Sequence, residues 1–331
     1  MKPTIPRYCT LVPTLGADPE FALRKYGRWI SPHRRFPTIH DKIQHSRGQL
    51  FRDGFSVELN PEASFCREAL VYSVRQLLRE AKTRGRASLR APHYIRLGPH
   101  TLRHAPPDMF QAGCEPALSA YHEELVTPEV DYATHPFRYF GGHMHLAYPK
   151  SSGAPFHDPE LGRALIQLCD RYLAVPLTYI WGCPGMFQRR QIYGRAGEFR
   201  FQSYGRTDTV GIEYRTPGPE IWWTSWSASL AFGIFRDLAR HFPMYHRRHS
   251  RATQTELLAI QNAINTGEDI GRFLPPHGPL GTVQQFRRLR SQIVNRGLGR
   301  LKAPIPRIEY GQRGWEWFQG LPPDRQIQEL P

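Results

Sequence analysis

A strand that begins with two glycines and carries two histidines constrains this chain more than any other stretch. The run Gly141-Gly142-His143-Met144-His145 leads into Leu146-Ala147-Tyr148-Pro149, where the proline ends it. Because side chains alternate along a strand, His143 and His145 point to one face and Met144 points into the packing. The glycines allow a backbone or a ligand to approach closely. The pattern predicts either a buried histidine pair satisfied by its neighbours or one wall of a functional site.

Composition and charge limit the class of protein and the class of partner. The chain has 331 residues, 40% of them hydrophobic and 22% charged, which predicts a globular protein of one large or two ordinary domains. Its formal net charge of +15 predicts an anionic partner or substrate, such as a nucleotide, a nucleic acid or an acidic peptide. Five cysteines without a Cys-x-x-Cys pair indicate neither a disulfide framework nor a four-thiolate zinc site. Without a signal-like N-terminus or an apolar window of about 18 residues, we expect a cytoplasmic protein with no membrane span.

Two early stretches place oxygen ligands on strand faces. Asp18 and Glu20 share a face if an extended course continues through Pro19, although Asp-Pro is also a common turn. Further on, Asp53-Gly54 is a hairpin signal, and polar residues, among them Glu58, then alternate with apolar ones as far as Pro61. Such a face is either exposed to solvent or forms a ligand set for a hard cation.

Two later stretches add arginines. The run Gly194-Arg195-Ala196-Gly197 predicts a flexible loop whose backbone N–H groups and guanidinium together suit a phosphate, although such loops are frequent on basic surfaces. Arg200 follows this loop directly. Glu213 and Arg215 share a strand face, either as a surface salt bridge or with the glutamate on a metal and the arginine on an anionic group.

Helical periodicity predicts the packing elements of the chain. Ser64 and Asp158 precede two of the apolar repeats as capping residues. The tryptophans near residue 222 are predicted to lie in the core of a buried helix, since no basic residues are interleaved with them. The helices are predicted at 64–84, 158–174, 219–242, 252–266 and 282–296, and a first strand is predicted at 8–12.

The polar strand positions come from separate segments that one sheet could bring together. In that case their carboxylates and imidazoles would form a concave floor suited to Mg²⁺ or Mn²⁺, and the neighbouring arginines and glycine N–H groups would suit a polyphosphate. The chain contains neither a P-loop nor a Gly-x-Gly-x-x-Gly motif. The sequence therefore predicts a metal-nucleotide site across an antiparallel sheet.

The ordered set of these motifs resembles the phage-type carboxylate–amine ligases, which are the COOH-NH2 ligases of the amidoligase group, related to glutamine synthetase and glutamate–cysteine ligase. The resemblance covers about residues 10–240, and Glu115 stands where aspartate is expected in relatives. The motifs are Gly16-x-Asp18-Pro19-Glu20-Phe21, Asp53-Gly54 with Glu58-x-Asn60-Pro61, Gly113-Cys114-Glu115-Pro116, Gly141-Gly142-His143-x-His145, Tyr193-Gly194 with Gly197-x-Phe199-Arg200, and Glu213-Tyr214-Arg215.

The resemblance implies an α+β fold, in which a glutamine-synthetase-like antiparallel sheet forms a concave catalytic floor and helices pack on its other face. Residues 1–245 would form the catalytic domain, and residues 246–331 would form a basic helical extension packed on it. The implied activity is ATP-dependent formation of an amide bond. ATP would phosphorylate a substrate carboxylate, and an amine would then attack the acyl phosphate.

The resemblance also implies roles for individual residues. Two Mg²⁺ ions, or Mn²⁺, would be held by Glu20, Glu58 and Glu213, and one or both histidines would contact a metal or a phosphate, with His143 assigned to the metal. ATP would be bound by Gly194, Arg195, Gly197 and His145. Arg200 and Arg215 would neutralise the γ-phosphate and the acyl phosphate, and with Glu213 they would form the catalytic set.

Two other functions are compatible with the residues. A zinc metallohydrolase could use His143, His145 and a glutamate on one ion, with bound water as the nucleophile. A non-catalytic nucleic-acid-binding protein is suggested by the charge of +15 and the basic region 287–302, although the charge is distributed along the whole chain. Neither alternative gives a role to several glutamates together with several arginines.

Overall fold

A large antiparallel sheet forms the framework of the molecule. The computed structural model describes residues 12–110, 116–127, 130–150, 156, 158–203, 208–276 and 287. Within these ranges one ten-stranded sheet has the order β3-β4-β5-β1-β10-β12-β11-β8, with β2 and β6 also paired to β1, and β7 and β9 form a separate pair. The strands are β1 (Thr14–Lys25), β2 (Arg28–Ile30), β3 (Ile43–His45), β4 (Gly48–Asp53), β5 (Ser56–Pro61), β6 (Ser88–Arg90), β7 (Tyr94–Arg96), β8 (Leu118–Ser119), β9 (Phe137–Tyr139), β10 (Gly142–Pro149), β11 (Glu198–Ser203) and β12 (Thr209–Tyr214).

Helices cover one face of this sheet. Leu15, Met144, Leu146, Phe199 and Ile212 are buried in one apolar cluster with helical side chains. The predicted α+β class, with helices on the face opposite the polar residues, is therefore confirmed. The helices are α1 (Arg67–Gly85), α2 (Pro99–His104), α3 (Pro159–Cys169), α4 (Val175–Trp181), α5 (Pro184–Ile192), α6 (Ser225–Arg240), α7 (Phe242–His249) and α8 (Gln254–Thr266).

Strand β1 is the centre of the sheet, and Pro19 does not interrupt it. Residues Thr14 to Pro19 pair with β10, and Pro19 in register with Gly142 is the last of these pairs. The next residue, Glu20, pairs with Glu58 of β5. Because proline has no N–H to donate, its position at the end of one ladder leaves the strand continuous. The extended course that the sequence required for Asp18 and Glu20 to share a face is confirmed.

The first two predicted helices are found, with one error at a cap. Helix α1 begins at Arg67, and Ser64 instead pairs with Leu15 in an isolated bridge, so the predicted Ser64 cap is wrong. Asp158 caps α3 as predicted, because its side chain accepts hydrogen bonds from the N–H groups of Glu160 and Leu161. Helix α3 continues through a π-helical segment, Asp170–Ala174, into α4.

The later helices also follow the prediction, with one interruption. The stretch predicted as one helix at 219–242 is divided into a 3-10 turn at Pro219–Trp222 and α6, whose cap is Thr224. Trp222 and Trp226 are buried, as predicted for core residues. Helix α8 agrees with the prediction at 252–266.

Several predictions fall partly or wholly on residues beyond the described ranges. They concern the strand at 8–12, the motif at 113–116, the helix at 282–296 and the tail after residue 299. The division at residue 245 stays a prediction; α7 runs across that position, and α8 packs against α4 and α5. Within the described ranges, every helix is too short or too polar to span a lipid bilayer.

Candidate active site

The face of the sheet opposite the helices carries a row of polar side chains that the strand register brings together. Asp18 of β1 lies opposite His143 of β10. His145 lies opposite Glu213 of β12, which in turn lies opposite Arg200 of β11. Directly opposed residues in antiparallel strands project to the same face, so these side chains are neighbours. We call this surface the polar floor; its members are Asp18, Glu20, Glu58, His143, His145, Arg200 and Glu213.

Three members of the polar floor form a group that could hold a cation. The ligand atoms of Asp18, His145 and Glu213 all lie within 4.8 Å of one another. The Nε2 atom of His145 is 3.0 Å from Asp18 Oδ1, and the Nδ1 atom of His143 is 3.4 Å from both Asp18 Oδ1 and Glu213 Oε1. Two carboxylates and an imidazole are a donor set that Mg²⁺, Mn²⁺ or Zn²⁺ can accept.

The two histidines differ in protonation because their surroundings differ. Burial would raise the pKa of Asp18, but the nearby His145 and His143 hold this pKa well below its usual value. Burial opposes charge on His145, yet the Asp18 carboxylate raises the pKa of His145 above its ordinary value. Burial and then Arg215 lower the pKa of His143. The arrangement favours a charged Asp18–His145 pair beside a neutral His143.

Glu20 and Glu58 are buried beside two further carboxylates, those of Asp18 and Asp53. Burial and then the Asp53 charge raise the pKa of Glu20 to about 7. Burial, followed by the charges of Asp18 and Asp53, raises the pKa of Glu58 well above its usual value. Carboxylates that repel one another in a buried place are stabilised by a bound cation, which is a role that hard divalent ions perform. The residues therefore fit the metal that the sequence implied.

Tyr193 and Gly141 hold Glu20 in place. The Tyr193 hydroxyl donates a hydrogen bond to Glu20 Oε1 over 3.1 Å and lies 2.8 Å from His143 Nε2. The Gly141 N–H donates to Glu20 Oε2 over 2.7 Å. A Cβ atom at Gly141 would lie 2.4 Å from His143 Nε2, so only glycine leaves room for this imidazole. The close approach predicted for the two-glycine entry is confirmed at this position.

Two arginines meet the polar floor at Glu213. Arg215 forms an ion pair with Glu213, and Arg200 Nη1 lies 3.8 Å from Glu213 Oε2. Gln202 donates a hydrogen bond to the same Oε2 atom over 2.7 Å. The buried Arg189 donates to the backbone carbonyl of Arg215 over 3.3 Å and to the next two carbonyls, which fixes the chain just after β12. The floor therefore has an acidic side and a side with two positive charges.

The loop predicted to bind phosphate lies elsewhere. Gly194 and Gly197 have φ values of +67° and +85°, as a tight glycine loop requires. Their N–H groups donate to Glu198 Oε2 and to Thr216 Oγ1, and are thus engaged inside the protein. The Arg195 guanidinium donates to the Gln191 carbonyl and lines a separate groove beside α8.

Most of the predicted site residues come together, and others join them. The polar floor and its rim contain Glu20, Glu58, His143, His145, Arg200, Glu213 and Arg215, whereas Gly194, Arg195 and Gly197 are placed around the separate groove and its loop. Asp18, Asp53 and Tyr193 stood in the motifs but not among the predicted site residues. The period-two spacing of Asp18 and Glu20 could have added Asp18 to the metal set, whereas no local pattern indicated that Tyr193 reaches Glu20.

A comparison with known protein families found a match to part of the chain. Residues 120–269 match the family model described as Phage phiEco32-like COOH.NH2 ligase-type 2. The predicted family resemblance is confirmed over this segment. It contains His143, His145, Arg200, Glu213 and Arg215, while the carboxylates of β1 and β5 precede it. The family match supports a carboxylate–amine ligase.

A distant structural neighbour was also found. A solved structure described as "Crystal structure of novel glutamine synthase homolog" aligns with 87% of this chain and 67% of that chain, with 11% sequence identity and a TM-score of 0.42. The search of curated proteins found no match to the chain.

Proposed function

We propose that this protein is an ATP-dependent carboxylate–amine ligase that forms an amide bond through an acyl phosphate. The observation that supports this most is that possible metal ligands and arginine side chains meet at one residue, Glu213. Glu213 belongs to the cation-capable group and also contacts Arg200 and Arg215. A triphosphate with its metal needs both kinds of group at one place, because the ion and the arginines neutralise different phosphate oxygens.

The metal would be held on the acidic side of the floor. Asp18, His145 and Glu213 would supply one ligand set, and Glu20 and Glu58 are the carboxylates available beside it. A divalent ion bound there would neutralise phosphate charge and orient the phosphoryl group for transfer. Tyr193 holds Glu20 Oε1 by a hydrogen bond, so the carboxylate is oriented before any ion arrives.

The reaction that this site would support has two balanced steps. A substrate carboxylate oxygen attacks the γ-phosphorus of ATP, the bond to the bridging oxygen breaks, and an acyl phosphate and ADP result. A protonated amine then loses a proton, attacks the acyl carbon and displaces the phosphate, which yields an amide, hydrogen phosphate and one released proton. Arg215 and Arg200 would stabilise the negative charge that is spread over the transferring group and then over the leaving phosphate.

A zinc metallohydrolase remains the second candidate, because one zinc could also be bound by two carboxylates and an imidazole. The two arginines at Glu213 favour the ligase, since a hydrolase with one zinc gives them no common role. Metal analysis of the purified protein separates the two functions. Zinc held tightly in a one-to-one ratio would favour the hydrolase, and loosely held Mg²⁺ would favour the ligase.

A screen for ADP release tests the ligase directly. The full chain would be incubated with ATP, Mg²⁺ and pairs of carboxylates and amines, and products would be identified by mass spectrometry. We expect Glu213→Gln to reduce turnover at least about 100-fold while the circular dichroism spectrum stays unchanged. Glu160 is exposed on α3, so Glu160→Gln is the matched control and should retain activity. Equal ADP release by wild type and Glu213→Gln would remove Glu213 from the site.

The cytoplasmic setting and a nucleic-acid partner are parts of the same proposal. The net charge of +15 supports an anionic partner, and an amine or acid substrate attached to nucleic acid is compatible with it. Salt-dependent DNA binding that survives Glu58→Ala and Glu213→Ala would identify a binding function independent of the polar floor.

A further inference from the structure

The turn that joins β1 to β2 carries an exposed aromatic residue. This turn consists of Tyr26 and Gly27, whose φ values are +50° and +75°. Two-residue hairpin turns with positive φ at both positions favour asparagine, aspartate or glycine, so tyrosine is an uncommon residue there. Tyr26 is 90% exposed. Packing within the fold therefore does not explain why a large aromatic ring stands at this position.

Positive charge is concentrated around this turn by the pairing of strands. Segments 22–40 and 81–107 together contain eleven lysine and arginine residues and no aspartate or glutamate. The two segments are distant in the sequence, but β2 and β6 pair with the end of β1 on its two sides. Cations that are distributed along the sequence are thus brought together in the fold.

The side chains at this end of β1 are available to a partner. Arg24, Arg28 and Arg90 are exposed, and among the described residues no ion pair joins any of them to a carboxylate. The Arg24 guanidinium lies 5.3 Å from the centre of the Trp29 ring, and Lys25 Nζ lies 5.3 Å from that of Tyr26. We call this region the basic hairpin surface; its members are Arg24, Lys25, Tyr26, Arg28, Trp29 and Arg90.

The basic hairpin surface and the polar floor lie on the same face of β1. Glu20, Ala22 and Arg24 alternate with Phe21 and Leu23, which are buried in the main core on the other face. Ala22 belongs to a second apolar cluster, against which Trp29 packs. At about 3.3 Å per residue, Arg24 lies about 13 Å from Glu20 along the strand. A chain-like ligand bound at the hairpin could therefore extend toward the polar floor.

We infer that the basic hairpin surface binds single-stranded nucleic acid, with a base stacked on Tyr26 and phosphates on Arg24, Arg28 and Arg90. Clustered cations without neighbouring carboxylates suit a phosphate backbone, and an exposed aromatic ring offers a stacking surface to an unpaired base. A duplex keeps its bases stacked inside, so it could use the arginines but not the tyrosine. The inference gives the nucleic-acid partner of the proposed function a place on the molecule, and it does not depend on the ligase chemistry.

Binding of oligonucleotides to the full chain tests this inference. Fluorescence anisotropy would be recorded with labelled single-stranded DNA and RNA of about 20 nucleotides, at salt concentrations from about 50 to about 200 mM. The DNA strand annealed to its complement, and vesicles of phosphatidylcholine with phosphatidylserine, serve as competitors. We expect a single strand to bind with an affinity that falls as the salt concentration rises, and both competitors to bind less tightly.

A charge variant locates the binding. The triple variant Arg24→Gln, Arg28→Gln and Arg90→Gln should weaken single-strand binding at least about tenfold at the lower salt concentrations. The slope of the logarithm of the binding constant against the logarithm of the salt concentration should become shallower by about 2, because each phosphate contact with a single strand contributes about 0.7.

A matched control removes the same charge from another part of the surface. Arg240, Arg247 and Arg251 are exposed arginines on or next to α6 and α7. Their joint replacement by glutamine lowers the net charge by the same amount as the first triple variant. It should weaken single-strand binding less than about threefold, because only the long-range attraction changes.

Replacement of the tyrosine separates stacking from charge. Asparagine favours positive φ at this turn position, so Tyr26→Asn should keep the hairpin. The loss of stacking on one base should weaken single-strand binding at least about fivefold and leave the salt dependence and duplex binding unchanged. Tyr26→Trp keeps an aromatic ring and should bind the single strand at least as tightly as wild type.

Four results would overturn the inference: no single strand binds, the duplex or the vesicles bind more tightly than the single strand, the two arginine triple variants weaken binding equally, or Tyr26→Asn binds the single strand as wild type does. Failure of the ligase proposal is recognised separately, because none of the substituted residues belongs to the polar floor. Oligonucleotide binding by a chain without ATP turnover would contradict the ligase only. Amide formation by a chain that binds no oligonucleotide would contradict this inference only.

Discussion

Replacement of Glu20 by glutamine should stabilise the metal-free protein, although it removes a proposed metal ligand. Glu20 is buried among carboxylates, and burial and then Asp53 raise its pKa to about 7. Glutamine has nearly the same shape. Its oxygen can accept the hydrogen bond from the Gly141 N–H, and its amide group can donate to the Tyr193 hydroxyl, so both contacts of Glu20 have a replacement.

The expected magnitude follows from linkage between protonation and folding. The folded protein keeps the proton on Glu20 up to about pH 7, whereas the unfolded chain releases it near its ordinary pKa of 4.5. The stability that this proton contributes is fully present below the unfolded pKa and is lost as the pH rises through the folded pKa. A difference of about 2.5 pKa units corresponds to about 3 kcal/mol of unfolding free energy. Glutamine cannot titrate and therefore escapes this loss.

The assay is urea denaturation of wild type and Glu20→Gln in chelator at about pH 5 and about pH 8. The free energy of unfolding of the variant, relative to wild type, should rise by roughly 2–3 kcal/mol between these two pH values. Addition of Mg²⁺ at the higher pH should reverse the effect, because the ion stabilises the wild type by binding only its folded state. Glu62 is exposed just after β5, and Glu62→Gln serves as the control with no such pH dependence.

A relative stability of Glu20→Gln that is the same at both pH values would refute the reasoning. It would mean that Glu20 does not share a repulsive cluster with Asp53 and Asp18 in solution. If the variant is less stable than wild type at both pH values but its relative stability still rises between them, the constant part of the loss is the cost of altering the two hydrogen bonds.

Further predictions concern the arginine rim, the tyrosine and the core. Arg215→Ala should lower kcat at least about 100-fold with a small change in the KM for ATP, because the Arg215 charge acts on the transition state. Steady-state kinetics check this, and a loss of ATP affinity alone would place Arg215 outside the reaction centre. Tyr193→Phe should weaken Mg²⁺ affinity at least about tenfold without loss of fold, and calorimetry checks this, since the hydroxyl orients Glu20. Burial raises the pKa of Asp170 to about 7, although two tyrosine hydroxyls donate hydrogen bonds to its carboxyl group. The stability that the bound proton contributes at low pH is therefore lost as the pH rises through about 7. Asp170→Asn should become more stable relative to wild type at higher pH, and thermal denaturation checks this.

Local patterns in the sequence predict much of the polar floor. Alternation along β10 placed His143 and His145 on one face and Met144 in the core, and the structure agrees, because the period of a strand is set by its backbone alone. The Asp53-Gly54 signal likewise predicted a hairpin, and β4 and β5 are joined there. These features depend on residues close together in the chain.

Features that depend on distant residues were not predictable in the same way. Arg189 and Arg190 follow one another in a stretch that looks basic and exposed, yet both are buried. Arg189 donates hydrogen bonds to three backbone carbonyls just after β12, and Arg190 donates to Thr178 Oγ1 and to the Ile264 carbonyl. In the glycine-arginine loop, the N–H groups of Gly194 and Gly197 are likewise bonded to distant side chains, those of Glu198 and Thr216, and a role of this loop in phosphate binding stays a prediction.

The strand order has a consequence for how relatives of this chain should be recognised. Strands β1 and β5 supply Asp18, Glu20 and Glu58, whereas the matched family segment begins at residue 120 and holds the histidines and arginines. A fragment limited to that segment would keep the imidazoles and guanidinium groups but would have lost three acidic side chains from the first sixty or so residues. A distant homologue should therefore be checked for the acidic residues of β1 and β5 as well as for the histidines and arginines, even when only the later segment is similar enough to align.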